Sequence, residues 1–312
     1  MGVASRLSQH HLVSRRRVTR RKPVVRRKLA WNDAIGAAPD VALPTPLPEP
    51  NADGLAPLGF DAPHVPSALD FPLTTLGFGD PLRWLAAGWQ DFRRAPHIGL
   101  FFGVCFVLMG WALVGTFRRA PEYTLALSAG FLLMGPFLCL GLYHASRELE
   151  EGHRPSFGSA LTAWRQSGAQ LAIFAAVLLV LEMLWGRAAM IVFAISLDGV
   201  PDFNQPLASF LTEEYITFAL IYTLVGAVFA GLIYAISVVS MPLLLDRQVD
   251  AVSAGLLSMR LVLTQTGVML WWAALIAGLT LLALVPGFLG LLLVGPLLGH
   301  ASWHAYRAAV PR

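Results

Sequence analysis

Residues 267–305 decide the fold, and they read GVMLWWAALIAGLTLLALVPGFLGLLLVGPLLGHASWHA. The stretch contains no Asp, Glu, Lys or Arg, and a Pro-Gly pair at 286–287 divides it into two apolar halves. About 20 apolar residues at 1.5 Å each cross the roughly 30 Å hydrocarbon core of a bilayer, so each half is long enough to span it. Helices are the expected form, because lipid offers no hydrogen-bond partner to an open backbone.

Four more apolar segments of this kind precede that stretch. The 312-residue chain is 56% hydrophobic and 13% charged, and its mean hydropathy is +0.61. A soluble domain carries about twice that share of charged residues. The sequence therefore predicts an all-α, polytopic membrane protein. Its six transmembrane helices are expected at about 98–117, 124–143, 170–193, 216–239, 267–285 and 287–305.

The charge pattern divides the chain into three parts. Residues 1–37 are predicted to be a basic, disordered tail, 38–81 a proline-rich linker, and 82–312 the six-helix transmembrane domain. The net charge of +4 is the sum of +10 in residues 1–28 and −6 in the remainder. No apolar segment follows the basic run, so it is not a secretory signal peptide.

The basic tail is the only feature that could suggest nucleic-acid binding. It has no interleaved aromatic residues and no folded reader, so nucleic acid is not an expected partner. Anionic lipid is the expected partner, because a polybasic segment is attracted to a negatively charged leaflet. An unstructured extension without a partner, or a misassigned start codon, is the alternative.

Basic residues in the loops predict the orientation, because cytoplasmic loops are enriched in Lys and Arg. One side of the membrane has only Arg118 and Arg119, and its long loop, 198–215, is acidic. Both termini are therefore predicted to be cytoplasmic. The other side has Arg83, Arg93, Arg94, Arg147, Arg154, Arg165, Arg247, Arg260, Arg307 and Arg312.

Two segments far apart in the chain match closely. Residues 130–136 read GFLLMGP and residues 290–296 read GLLLVGP. In both, a histidine follows the proline by eight residues and an arginine follows it by eleven. These residues are His144 and Arg147 in the first segment, and His304 and Arg307 in the second.

Three short amphipathic segments complete this pattern. Residues 82–89, 160–165 and 254–260 place Arg beside an apolar stripe, with Trp in the first two, which suits the headgroup region. A weaker echo of the proline motif, MPLLLDR, lies at 241–247. Together they predict three pseudo-repeats, each an interfacial helix followed by a transmembrane hairpin. Helix kinks are expected at Gly135, Pro136, Pro242, Gly295 and Pro296.

The chain resembles a bacterial family of predicted integral membrane proteins, domain-of-unknown-function family 2189. The resemblance rests on WLAAGW at 84–89, GFLLMGP at 130–136, SMPLLLDR at 240–247 and GPLLGHASWH at 295–304. It covers roughly residues 80–310. The resemblance implies the bacterial inner (cytoplasmic) membrane as the location, and it implies no activity.

Glu182 and Arg187 lie in the third apolar segment. A charge in hydrocarbon costs a few kcal/mol, so it usually has a partner or a role. Five residues apart, the two side chains point about 140° away from each other on a helix. Glu182 is expected either to bond another helix or to form a proton or cation site, and Arg187 is expected to snorkel to the interface.

The remaining candidates lie near helix ends. His144, His300 and His304 are weak candidates for binding a metal or haem, and His300 and His304 share a helix face. The alternative places these rings at the interface beside arginine, and no cofactor is predicted. Asp246 and Arg247 are expected to form an interfacial ion pair or to cap the following helix. Asp91 is expected to be a solvated helix end.

The sequence contains none of the motifs Gly-x-Ser-x-Gly, Walker loop, His-Glu-x-x-His or Cys-x-x-Cys, so the protein is not expected to be an enzyme. Two functions remain open: a small transporter or channel-like protein, and a non-transporting membrane scaffold or assembly factor. A haem- or metal-binding membrane protein is a third hypothesis. A water-filled path reaching Glu182 favours the first, and a dry, tightly packed bundle favours the second. The sequence does not indicate an oligomeric state.

Overall fold

The computed structural model describes residues 70–120, 124–197 and 211–312. The basic tail, the linker up to residue 69 and most of the acidic loop 198–215 lie outside the described residues. All regular secondary structure in the described ranges is helical, which confirms the all-α class.

Ten α-helices and one 3₁₀ helix, Ala163–Ser167, are found in the described ranges. The α-helices are α1 Asp80–Arg94, α2 Pro96–Arg119, α3 Thr124–Glu150, α4 Phe157–Thr162, α5 Gly168–Ser196, α6 Glu213–Ser237, α7 Ser240–Asp246, α8 Ala251–Thr264, α9 Thr266–Leu284 and α10 Leu291–Ala309.

The long helices α2, α3, α5, α6, α9 and α10 occur where the six spans are predicted. Four stretches of the described chain are long and apolar enough to cross a membrane, and they confirm a polytopic membrane protein. The second half of α10 contains two histidines and an arginine, which lower its apolar character. The count of six spans remains a prediction. The four stretches are Pro96–Arg119, Gly168–Ser196, Glu213–Asp246 and Thr266–Leu284.

Short helices form at each predicted amphipathic segment. These are α1, α4 with the 3₁₀ helix, and α8, and each is followed by a long helix. Two of them begin with a side-chain cap that satisfies a free backbone N–H. The Ser156 hydroxyl accepts from Ser159 N at 3.0 Å, and the Asp250 carboxylate accepts from Ser253 N at 2.8 Å.

The three motif prolines act differently. Pro136 and Pro296 lie inside α3 and α10, and both helices continue through them. At Pro242 the helix breaks instead: α6 ends at Ser237 and α7 begins at Ser240. A proline ring crowds the carbonyl four residues earlier, which here belongs to Val238 in the break. The expected kink at Pro242 is therefore an interruption between two helices.

Helices α1, α2 and α3 pack around α10, at distances that only small residues permit. Gly103 of α2 lies against the backbone carbonyl of Leu292 of α10 so closely that no Cβ would fit. A Cβ at Gly88 of α1 would lie 2.7 Å from the backbone N of Ala301. Close backbone approach of this kind is how helices associate in lipid, where burial of apolar surface gives no driving force.

The hairpin of α5 and α6 is packed much more loosely. Helix α6 has no buried residue. Helix α7, which follows it, is buried except for its last residue, with Leu243 and Leu244 at most 1% exposed. The large apolar side chains that α6 exposes are Ile216, Leu220, Leu224, Val228 and Leu232.

The packed body begins before residue 82, the expected start of the transmembrane domain. Leu76 is 8% exposed, and its backbone N donates to the Gln265 amide oxygen at 2.6 Å. The Gln265 amide also donates to the Thr74 carbonyl at 2.8 Å. Thr74 N donates to the Ala309 carbonyl at 3.0 Å. These contacts fix the segment 73–76 on the helices, so the described end of the linker is part of the body.

Candidate functional site

The ends of α3, α7 and α10 meet α1 in a cluster of polar contacts. The cluster lies at the end of the helices that carries the motif arginines, the side predicted to be cytoplasmic. We call it the polar junction. It comprises Asp91, Ser146, Arg147, Glu150, Asp246, Arg247, His300, Trp303, His304, Tyr306 and Arg307.

Asp91 joins α1 to α10 within the polar junction. Its carboxylate accepts a hydrogen bond from His304 Nε2 at 2.7 Å, and the residue is only 4% exposed. The expectation that Asp91 is a solvated helix end is therefore wrong. Trp84, Gly88 and Asp91 lie at helical spacing on one face of α1, and that face is buried against α10.

His300 joins α10 to α3. Its Nδ1 and the Ser146 hydroxyl lie 2.8 Å apart, and both residues are 0% exposed. The other ring nitrogen of His300, Nε2, is buried without a hydrogen bond. This contact fixes the crossing of the two helices that bear the matching proline motifs.

Glu150, at the end of α3, is a residue that the sequence analysis missed. Its carboxylate accepts from Trp303 Nε1 at 3.0 Å and from Arg307 Nε at 3.1 Å. Arg312 Nη2 lies 3.5 Å from the same carboxylate. One carboxylate thus connects the end of α3 to α10 and to the residues that follow it.

Asp246 and Arg247 are closer to other groups than to each other. Arg247 Nε is 4.0 Å from the Asp246 carboxylate, whereas the Tyr306 hydroxyl donates to that carboxylate at 2.7 Å. Arg247 donates to the Pro311 carbonyl. The following helix, α8, is capped by Asp250, so the alternative that Asp246 caps it is wrong. The predicted pair is present but secondary.

The three motif arginines make contacts in a cyclic order. Arg147 of α3 donates to the Leu245 carbonyl of α7 at 3.2 Å. Arg247, at the end of α7, donates to the Pro311 carbonyl that follows α10. Arg307 of α10 donates to Glu150 of α3. Each arginine therefore reaches the end of the next motif-bearing helix, and the third returns to the first.

The three candidate metal-binding histidines have separate partners. His144 Nε2 lies 3.5 Å from Glu148, His300 contacts Ser146, and His304 contacts Asp91. No group of three or more His, Cys, Asp or Glu in the part of the chain that the structure describes could hold a metal ion. The structure therefore does not bring His144, His300 and His304 together as one ligand set.

Glu182 lies apart from the polar junction, in an open recess of about 780 Å³ between α5 and α6. It makes no hydrogen bond or ion pair with any residue that the structure describes. The other polar side chain of the recess, Tyr234, donates to the Met269 carbonyl at 2.6 Å. Arg187 is exposed and is not among the lining residues. The lining is Glu182, Trp185, Gly226, Phe229, Ala230, Ile233 and Tyr234.

The recess at Glu182 lies within the α5–α6 hairpin. Its lining belongs to α5 and α6 alone, so neither proline-bearing helix, α3 or α10, contributes a side chain. The aromatic rings of Trp185 and Tyr222 pack edge to face at 5.1 Å, and this pair joins the two helices near the recess. The recess with Glu182 thus belongs to the α5–α6 hairpin and not to the centre between α3, α7 and α10.

The apolar helices, close glycine contacts and polar junction define a polytopic α-helical integral membrane protein. Over residues 124–246, less than half of the chain, the sequence matches the model of the family described as predicted integral membrane protein (DUF2189). This match, from α3 to α7, confirms the resemblance to domain-of-unknown-function family 2189. Neither the comparison with curated proteins nor that with solved structures finds a match.

Proposed function

We propose that this chain is a non-transporting scaffold or assembly factor of the bacterial inner membrane. The observation that carries the proposal is the closed, apolar centre between α3, α7 and α10. Leu140, Leu244 and Trp303 there belong to one buried apolar cluster, and each is at most 1% exposed. The polar junction ties the three helices together at one end. A path for a hydrated solute needs polar groups open to water along such a centre, whereas the buried Ser146 and His300 side chains contact each other.

The loose α5–α6 hairpin supports a role in lateral contact. In lipid, an apolar helix face gains no free energy from burial against another helix, so the exposed face of α6 needs no protein partner. A carboxyl group facing hydrocarbon is different, because it lacks the partner that intramembrane acids normally have. A transmembrane helix that presents a hydrogen-bond donor to Glu182 would supply that partner. We infer that the recess between α5 and α6 receives such a helix.

We further propose that the chain consists of three repeats, with both termini and the polar junction on the cytoplasmic side. The cyclic order of the contacts of Arg147, Arg247 and Arg307 supports the repeats. Three similar units arranged around one axis would each make the same contact with the next unit, as subunits do in a closed symmetric oligomer. The distribution of arginine among the loops supports the orientation.

The protein is proposed not to be an enzyme, which the lack of a catalytic motif in the sequence supports. Residues 1–37 are proposed to contact anionic lipid through their basic side chains, and not nucleic acid. Haem or metal binding has no support from the separate partners of the three histidines.

Site-specific photo-crosslinking in intact cells tests the scaffold role. A crosslinking residue at Ala230, in the recess, is compared with one at Leu281, an exposed position on α9. We expect a discrete protein adduct at position 230 that is lost in Glu182→Leu, and only lipid adducts at position 281. Lipid adducts alone at both positions would contradict the proposal.

A transporter is the second candidate, and the unpartnered carboxyl of Glu182 favours it. In that case the recess is a proton or cation site on α5. Purified protein in liposomes with an internal pH-sensitive dye distinguishes the two candidates. The scaffold proposal predicts no proton flux above that of empty liposomes. A flux that is present in the native protein and absent in Glu182→Gln would establish the transporter instead.

A further inference from the structure

A second recess lies at the opposite end of α2 from the polar junction. It has an open volume of about 900 Å³ and lies between the end of α2 and the turn that joins α9 to α10. Its lining combines two arginines with aromatic and apolar side chains. The lining residues are Trp111, Val114, Gly115, Arg118, Arg119, Gly287 and Phe288.

The wall of this recess is fixed by specific contacts. Trp111 Nε1 donates to the Gly287 carbonyl at 2.9 Å, which ties the turn to α2. Phe288 has a φ of 70°, a left-handed conformation that is rare for a bulky residue. Its ring lies so close to Gly110 of α2 that no Cβ would fit there. A strained residue held in place by its neighbours is a feature that clusters at ligand sites.

The two arginines of the recess are unpaired within the described ranges. Arg118 and Arg119 are exposed, and neither makes a hydrogen bond or ion pair with the residues that the structure describes. Basic residues are disfavoured on the side of a membrane to which a loop is translocated. On the predicted orientation, these are the only two basic residues in the loops on that side, which calls for a role at this position.

We propose that the recess binds a phosphate group, and specifically the headgroup of an anionic phospholipid in the leaflet at that end of α2. Guanidinium groups bind phosphate oxygens in a bidentate manner, and two adjacent ones complement a charged phosphodiester. Trp111 presents its indole at headgroup level, as tryptophan does at membrane interfaces. Val114 and Phe288 offer apolar surface to the start of an acyl chain. The site is independent of the scaffold role.

Native mass spectrometry of the full-length protein tests this site. The protein in detergent is titrated with phosphatidylglycerol, with phosphatidylcholine and with inorganic phosphate. The test variant is Arg118→Gln/Arg119→Gln, and the matched control is Arg93→Gln/Arg94→Gln, an exposed pair at the end of α1. Losing two charge-assisted contacts should weaken the tightest phosphatidylglycerol site by about tenfold in the test variant, and the control should leave it unchanged.

Trp111→Phe keeps the aromatic ring but removes the hydrogen bond to Gly287, so a smaller loss of phosphatidylglycerol affinity is expected. Displacement of the lipid by millimolar phosphate would support the phosphate site and assign the free ion as its ligand. An equal loss in both arginine pairs would overturn the proposal, because it would indicate general attraction to charge. Equal binding of phosphatidylcholine would overturn it as well. Size-exclusion profiles check that each variant is folded.

Discussion

Helices α2 and α6 are both apolar and long enough to span a bilayer, yet their surroundings differ completely. Helix α2 contacts α10 through Gly103 at backbone distance, while α6 has no buried residue at all. Their difference lies in where small residues meet a neighbouring backbone. In this protein, apolar composition makes a helix a candidate to cross the membrane, and close glycine contacts determine what it packs against.

The largest expected effect comes from breaking the packed half. In Gly103→Leu, the added side chain would collide with the Leu292 carbonyl and separate α2 from α10. We expect the free energy of unfolding to fall by about 3 kcal/mol or more. Reversible unfolding in mixed micelles, followed by far-UV circular dichroism, measures this change.

Gly231 of α6 provides the matched control, because nothing lies within 4 Å of a Cβ built there. Gly231→Leu is not expected to lower the free energy of unfolding, because glycine is a weaker helix former than leucine and no neighbour opposes the new side chain. Similar losses for the two glycines would remove the distinction between the packed half and the open hairpin.

The next effect concerns the polar junction. Asp91→Ala leaves the partly buried His304 ring without its acceptor, so a loss of about 2 kcal/mol is expected. Asp80→Ala is the control on the same helix, because the carboxylate of Asp80 pairs at 2.9 Å with an arginine that is largely exposed. Unfolding of Asp80→Ala should differ from that of the native protein by less than about 1 kcal/mol. The contrast fails if the control is the more damaging substitution.

A smaller effect is expected at the cap of α8. Asp250→Ala removes the acceptor for Ser253 N, and such caps contribute about 1 kcal/mol. Hydrogen bonds from the Ser253 hydroxyl and backbone amides hold the pKa of Asp250 below its usual value. The charged cap therefore stabilises fully above the unfolded pKa of about 3.9, and this contribution is lost as the pH falls through the lower, folded pKa.

Asp250→Asn separates the two parts of that prediction, since asparagine caps a helix without titrating. Chemical unfolding at neutral pH and below pH 4 should show a pH-dependent difference between the native protein and Asp250→Asn. If the two proteins lose stability in parallel on acidification, the carboxylate of Asp250 is not responsible.

The smallest effect is expected in the open hairpin. Glu182 has no partner in the described chain, so Glu182→Leu removes no contact and should not lower the free energy of unfolding. Glu182→Gln is the control that keeps a polar group at the same position. A loss above about 1 kcal/mol in Glu182→Leu alone would mean that the carboxyl has a partner within its own protein.

Local patterns were sufficient to predict the helices but not their contacts. The apolar runs and the Trp- and Arg-containing segments predicted the long helices and the short ones between them. Asp91 and Glu150 were missed as partners, because their contacts on α10 lie 213 and 157 residues away. The spacing of Trp84, Gly88 and Asp91 could have placed Asp91 on a buried face of α1. No local signal could have paired it with His304.

At the candidate sites too, the sequence predicted local features and missed contacts between distant residues. The ion pair of Asp246 and Arg247 is secondary because each side chain has a closer partner at the end of α10. These partners are Tyr306 and Pro311. The helix breaks before Pro242 because the proline ring crowds the carbonyl four residues earlier. The break lies where α7 turns into the core. At Glu182, the sequence identified an unusual residue, and the structure locates it in a recess between α5 and α6.

The contact between Asp91 and His304 also bears on the order of events during synthesis. At about 5–20 residues per second, a separation of 213 residues means that α1 leaves the ribosome on the order of ten to forty seconds before its partner helix exists. During that interval Trp84 and Asp91 have no α10 to pack against. The amphipathic character of α1 suits it to lie on the membrane surface for that time, and its docking is among the last steps that complete the body.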